Sequence, residues 1–553
     1  MNKIVPATAV LCALVSQVSA ADIKINSSVK DGDKIAGAVE LRATVISDAT
    51  VNQVEFYVNG ELRSTDTSTP YTFQLDTIPE KEGPISVELG AYTATGDSKK
   101  LKLTLVVDNG IDKGAKFHID SANKFLNVSK FDEALQAGRV ALKADENSAD
   151  AKIAMARAYL GKYEYDKAQQ WAEDALITQE TEAATELLAG IHADRAFRII
   201  SSSGERGDAL KNITTAFQAA VAQRKRTVEL RLKAMGAVTD ANRLAVVDLL
   251  MQKHDYSAAR RHLLEKWDEG TPNVDIGNRL VYAAMRSGRM AEAKRLLELM
   301  KKKNVQDATT HALAAAGHAY YRRWDDASTA IKDGGFDDAE SPALISASAY
   351  LALLKGDKAA ASSQVARMLS KGMNSAPVYY FLKTLTYFTG QYSESRDYFR
   401  KTVLADPLLY DVYIERGYEA LAVVTNPQAG LDKDKTILLD QARSFFEIAL
   451  SIKADAPDAL NGLALVTLYQ KKPDEALKYA QGAVGAGPEY PWTHFTLAAV
   501  QNAKGDYRSA VKSVDKGGEL DRVVLQGRGV PSADEAWLYT YRYARVPVII
   551  PPK

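Results

Sequence analysis

Ala376–Pro407, APVYYFLKTLTYFTGQYSESRDYFRKTVLADP, decides how the chain is read. Apolar residues recur at helical spacing on both sides of Thr389-Gly390-Gln391, and Asp406-Pro407 closes the second run. Glycine interrupts a helical pattern and proline ends one, so the stretch predicts two short helices joined by a tight turn. The pattern recurs along the chain. Ser395 is the small residue of the second helix, and steps of 34 back from it land on Ala361, Ala327, Ala293 and Ala259. The same step of 34 joins Ala134 to Ala168, and Ala442 to Ala476 and then Ala510. Self-similarity at a fixed period predicts stacked units that share their cores with their neighbours.

With Ala209 added, eleven such markers lie between Ala115 and Leu520. Three residues before them stand large side chains, as at Phe131, Tyr165, Tyr256, Met290, Trp324, Tyr392 and Tyr507. Four after come apolar ones, as at Leu263, Leu297, Phe399 and Phe446. Twelve before, on the first helix, a small residue recurs at Ala122, Ala156, Ala315, Ala349, Ala464 and Ala498. Small residues let two helices approach, and the large ones are expected to fill the gap to the next unit. Three spacings depart from the period. Seven extra residues around Ser201–Gly207 read as a loop, sixteen around Gln223–Thr239 as a lengthened or additional helix, and thirteen around Val424–Lys435 as a loop.

This spacing, from 115 to 520, resembles the tetratricopeptide repeat family, which implies an all-α superhelical solenoid of ten or eleven units. In such solenoids the first helix of each unit lines a concave face where partners lie. Carried onto this chain, the resemblance places Asn123 and Arg157 on that face, then Asn278 and Tyr282, Tyr350, Tyr380 and Tyr387, Asn461, and Trp492 and Phe495. Amides could pair with the backbone of an extended peptide and rings could cover its side chains.

Before the repeats the period changes to two. Val39, Leu41, Ala43 and Val45 alternate with polar residues, as do Val54, Phe56 and Val58, then Ile85, Val87, Leu89 and Ala91, then Leu101, Leu103 and Leu105. Strands with one buried face are the expectation, about seven of them, with Asn59-Gly60 as a type I′ hairpin turn. The run VNQVEFYVNGELRS, followed by STPYTFQLDT, resembles bacterial immunoglobulin-like domains, which implies a small sandwich over 21–108. Asn109–Gly114 reads as the linker, and 521–553 as a tail that caps the last repeat. The fold class is therefore mixed: an all-β Ig-like sandwich followed by an all-α tetratricopeptide solenoid.

Lys+Arg and Asp+Glu are both 70 in 553 residues, so no global field favours nucleic acid or an anionic membrane. Met1–Ala20 reads as a secretory signal: Lys3, an apolar run from Ile4 to Val15, and Val18-Ser19-Ala20 as the cleavage site. Cys12 is the one cysteine, and cleavage would leave none for disulfides, thiolates or zinc. Bulky Leu11 argues against Cys12 as a lipid anchor. No later run approaches a spanning helix. The expected location is the periplasm or the cell surface.

Catalytic signatures are missing. His311 and His318, and His254 and His262, lack the H-E-x-x-H arrangement, and no phosphate loop or nucleophile elbow occurs. Arg224, Lys225, Arg226, Arg231 and Lys233 read as a solvated basic face beside Glu229. The expectation is a scaffold without catalytic residues, metal or cofactor, binding a protein or peptide partner in the cell envelope. The alternative is a glycan: a cell-wall or exopolysaccharide component.

Overall fold

The computed structural model describes residues 21–335, 341–425, 435–521 and 529–536. Chain contacts divide into two compact units, Met1–Thr178 and Gln179–Lys553.

The first unit opens with eight strands: β1 (Ile23–Ser27), β2 (Lys34–Ile35), β3 (Ala38–Ser47), β4 (Val51–Val58), β5 (Glu61–Asp66), β6 (Tyr71–Asp76), β7 (Gly83–Thr93) and β8 (Ser98–Val107). They form two sheets, β1-β3-β6 and β2-β8-β7-β4-β5. Every pairing is antiparallel except that of the two-residue β2 with β8. The alternation sets this arrangement. Leu41, Val54, Phe56, Val58, Val87, Leu89 and Leu105 point between the sheets and are buried, each contributing about 1.5–3 kcal/mol. Asn59 and Gly60 both take positive φ, 52° and 84°, as a type I′ turn requires.

The segment after β8 is pinned to the sandwich. Asn109 Oδ1 accepts from Gly37 N at 2.8 Å and from Thr77 Oγ1 at 3.0 Å, while its Nδ2 donates to Thr77 O at 3.2 Å. Four helices complete the unit: α1 (Gly114–Asn127), α2 (Phe131–Ala144), α3 (Ala149–Gly161) and α4 (Tyr165–Thr178). Arg139 of α2 pairs with Asp76, and Lys143 Nζ donates to Pro79 O at 2.9 Å.

The second unit holds α5 (Glu182–Ser203), α6 (Gly207–Met235), α7 (Arg243–Gln252), α8 (Tyr256–Leu264), α9 (Val274–Arg286), α10 (Met290–Lys302), α11 (Ala308–Tyr320) and α12 (Trp324–Asp333). It continues with α13 (Pro342–Lys355), α14 (Lys358–Ser370), α15 (Ala376–Phe388), α16 (Tyr392–Ala405), α17 (Tyr410–Val424) and α18 (Lys435–Ile452). The last four are α19 (Pro457–Tyr469), α20 (Pro473–Ala486), α21 (Pro491–Ala503) and α22 (Tyr507–Leu520). Consecutive helices pair as hairpins in both units. Each marker is buried except Ala209, which is half-buried. A residue with positive φ stands five positions before the marker in ten hairpins, at Ser129, Tyr163, Gly204, His254, Gly288, Arg322, Gly356, Gly390, Lys471 and Gly505. The period is thus written in the backbone as well as in the sequence.

Some expectations need correction. Ser201–Ser203 is the last turn of α5, so the first insertion lengthens that helix and leaves only a short link. The second insertion, by contrast, lengthens a helix as expected and makes α6 29 residues long. Tyr392 and Tyr507 are exposed rather than wedged between units. Residues 1–20, where a secretory signal is expected, most of the third insertion, and residues 522–528 and 537–553 of the tail lie outside the described residues. The described part of the tail sits on the repeats: Val530 packs against Ala498, Ala510 and Val514, and Tyr469 Oη donates to Asp534 at 2.7 Å. Among the described residues no helix is long and apolar enough to cross a membrane.

Candidate functional site: a cavity walled by the first helices

α7, α9 and α11 are the first helices of three successive hairpins. Their shared face in the second unit is largely covered by the chain itself. Asp406–Asp411, the link after α16 and the first residues of α17, lies against α7 and α9. Tyr490 and Trp492, at the start of α21, reach α9 and α11: Tyr490 Oη donates to Met285 O at 3.0 Å, and Trp492 Nε1 to Tyr320 Oη at 3.2 Å. A cavity of about 330 Å³ remains between these first helices, residues 406–409 and the start of α15. Met251, Leu313, Pro377, Leu408 and Tyr282 give it mostly apolar walls.

A polar chain forms one side. Arg286 Nη1 and Nη2 donate to Asp411 Oδ1 and Oδ2 at 2.8 and 2.7 Å, with both side chains under 5 % exposed. The guanidinium also lies 4.8 Å from the centre of the Tyr410 ring. Burial disfavours its charge, but the Asp411 carboxylate outweighs burial and holds it protonated. Arg286 Nε donates to Tyr256 Oη at 3.2 Å. His254 stands in the α7–α8 turn at φ 61°. Its Nε2 is 2.7 Å from Leu408 O, which can only accept, so Nε2 carries the proton. Nδ1 then accepts from Tyr256 Oη at 2.9 Å. Burial, reinforced by the Arg286 charge, pushes His254 down to about 3, so the ring is neutral at ordinary pH. Burial likewise raises the Tyr282 phenol, which stays protonated.

The residues that the resemblance placed on the concave face divide into groups. Asn278 and Tyr282 both line the cavity. Asn278 is engaged: its Nδ2 donates to Asp307 Oδ1 at 2.9 Å, and its Oδ1 accepts from Thr310 Oγ1 at 2.7 Å, which orders the capped start of α11. Trp492 is buried and stacked on Tyr490, with ring centres 5.0 Å apart. Phe495 is buried where Gly517 leaves room for its ring, and Asn461 is buried with Nδ2 3.4 Å from Tyr418 Oη. Tyr350, Tyr380 and Tyr387 are half-buried. In the first unit, Arg157 is exposed and Asn123 half-buried.

Sequence reasoning missed two buried charge clusters. One is Arg286–Asp411. The other joins Lys383, which touches Glu419 and lies 3.3 Å from Glu415, to Arg416, which reaches Glu419 at 3.0 Å and Glu205 at 2.8 Å. Burial opposes ionisation of Glu419, yet Lys383 and Arg416 keep its carboxyl below the usual range. A signal for this cluster was present: Lys383 interrupts the apolar run YYFLKTLTYF. The basic cluster of α6 is also corrected. Arg224 pairs with Glu186 at 2.9 Å, Arg226 with Glu180 at 2.6 Å, and Arg231 with Glu182 at 2.8 Å and Glu186 at 2.6 Å. Arg224, Lys225 and Arg231 are half-buried and clamp neighbouring chain, while Arg226 and Lys233 keep the expected exposed position. Among the described residues no group of three or more His, Cys, Asp or Glu could hold a metal.

Residues 24–104 match the family model of the bacterial Ig domain. No curated protein matches the chain. Among solved structures, the chain is similar to the Cut9–Hcn1 hetero-tetramer of the APC/C: 12% identity, 78% of this chain and 84% of that one covered, TM-score 0.39. It is also similar to yeast Tom70: 14% identity, 78% and 95% covered, TM-score 0.30. The fibronectin(III)-like modules of Clostridium thermocellum CbhA match 15% of this chain and 46% of theirs, at 19% identity and TM-score 0.14. The chain combines a sandwich that matches the bacterial Ig domain with helical hairpins that recur at the step of 34.

Proposed function

We propose that the protein is an exported, non-catalytic scaffold that holds partner proteins or peptides in the bacterial envelope. The observation that carries this reading is the cavity on the shared face of α7, α9 and α11. Its walls are mostly apolar, and His254, Tyr256 and Arg286 on its polar side are already engaged. Both nitrogens of His254 are taken, Tyr256 both donates and accepts, and Arg286 is held bidentately by Asp411. A general base needs a free lone pair within reach of a substrate proton, and a nucleophile needs such a base beside it. What the site offers is surface for contact. Export is supported by the leader-like Met1–Ala20 and by the bacterial Ig match at 24–104. The sandwich would add a second attachment point and raise the effective concentration of a tethered partner.

Affinity capture from envelope extracts tests the reading, using the chain from Ala21 with and without 21–108. Specific recovery of the same protein by both forms is expected. A turnover detected in the purified chain, or recovery of nothing by either form, would refute it. Fractionation of cells making the complete chain and a form lacking 2–20 tests export.

A further inference from the structure

We propose that the cavity is a receptor for one bulky apolar side chain of a partner segment that carries basic residues on either side of it. The proposal rests on the scaffold reading and names the chemistry of the partner. Size is the first argument. About 330 Å³ is at the small end of ligand pockets. A helix about 10 Å across does not fit, whereas one large side chain does. Lining is the second. Met251, Leu313 and Leu408 present carbon, and the protonated Tyr282 phenol supplies a single donor that a backbone carbonyl of the incoming segment can accept from.

Charge is the third argument, and it selects among apolar segments. Three carboxylates line the cavity, those of Asp248, Asp275 and Asp406, with two guanidiniums, Arg279 and Arg286. Arg286 is neutralised by Asp411. Arg279 binds Asp248 through Nε at 2.8 Å and Nη2 at 2.9 Å. Arg224 Nε lies 3.5 Å from Asp406. The exposed carboxylate of Asp275, on the first turn of α9, is left over, so the mouth carries net negative charge. A lysine or arginine beside the inserted side chain complements it, and an acidic residue there is repelled.

The test uses three probes, acetyl-Lys-Phe-Lys-amide, acetyl-Glu-Phe-Glu-amide and acetyl-Lys-Ser-Lys-amide, titrated into the chain from Ala21 and followed by saturation-transfer NMR and calorimetry. The basic phenylalanine peptide is expected to bind saturably, the other two at least tenfold more weakly, and the preference for basic over acidic to shrink as salt rises. Met251→Trp, which fills the cavity from a half-buried position, abolishes binding. Asp275→Lys, at an exposed position that leaves the fold intact, reverses the preference. Equal binding of the three probes, or an unchanged preference in Asp275→Lys, overturns the proposal. Partner capture that survives both substitutions would remove the cavity from the scaffold's mechanism while leaving the scaffold itself standing. Capture by neither the parent nor the variants would fail the scaffold reading instead.

Discussion

Arg286 and Asp411 lie 125 positions apart and are nearly sealed from water. Removing one partner of such a pair strands the other charge, whereas removing both can cost little. Asp411→Leu is expected to destabilise the second unit by about 3–5 kcal/mol. Arg286→Met combined with Asp411→Leu should recover most of that loss, and urea denaturation of the single and double variants measures the difference. His254 makes a second residue-scale prediction. The unfolded imidazole takes a proton near pH 6.5, the folded one only near 3. Its neutral form therefore contributes stability that is complete above pH 6.5 and is lost as pH falls towards 3, at about 1.4 kcal/mol per unit. Arg286, Asp411 and Lys453 are the charged groups that face it. His318 and His494 are also lowered, chiefly by burial, and add to the same window. Glu419, held below its usual 4.5, steepens the loss only at lower pH. His254→Asn keeps a residue that tolerates positive φ. It should flatten the stability profile between pH 6.5 and 4.5 without abolishing the slope, read from urea midpoints at successive pH values.

At the scale of elements, α18 shows how the hairpins close. Phe446 sits four residues after its marker, and its ring lies between α17 and α19. A Cβ on Gly417 would come within 2.6 Å of that ring, and one on Gly462 within 2.3 Å. Gly462→Ala should therefore cost about 1–3 kcal/mol despite its better helix propensity. Phe446→Leu in the same chain should relieve part of the cost, a coupling that a double-mutant cycle on thermal or urea unfolding would expose. Elements of this kind were legible in the sequence because their causes are local. Alternation gave the strands, the step of 34 gave the hairpins, and Asn59-Gly60 gave its turn. The lengthening of α5 was not legible, because Ser201–Ser203 has the composition of a loop and is helical through its place at the end of a 22-residue helix packed on α6. Asp411 was not legible as a buried charge, and Lys383, although it stands out within YYFLKTLTYF, could not be given its partners. Each pairs with a residue tens of positions away, and no periodicity reports a partner that distant. Asn278 and Tyr282 came only from the resemblance, which carried them together as residues of one face of α9. Trp492 came the same way, but its ring is spent on Tyr490 and Tyr320.

Each unit has its own source of cooperativity at the scale of the molecule. An open solenoid is stabilised by neighbour terms, so losing end repeats leaves the rest folded. The second unit departs from that rule. Early helices lean on late ones: Arg400 of α16 reaches Asp194 of α5 at 2.5 Å, Thr214 of α6 bonds Ser444 of α18, and Arg286 of α9 holds Asp411 of α17. Tyr490 and Trp492 close over Met285 and Tyr320. Ending the chain at Ala405 would strip all but the first of these contacts and leave Arg286 as a charge without its carboxylate. Such a truncation should do more than delete hairpins. Residues 179–405 should lose their sharp urea transition, bind a hydrophobic dye, and lose amide protection in α9 and α11 together. Residues 21–178 have a sandwich core of their own, and Asn109 and Arg139 tie them together. They should keep a cooperative transition when made alone. Hydrogen exchange on the two pieces distinguishes the outcomes. Native-like protection of α9 in the truncated chain would mean that the late helices merely rest on the early ones, and the self-covered face would then be free to open for a larger partner.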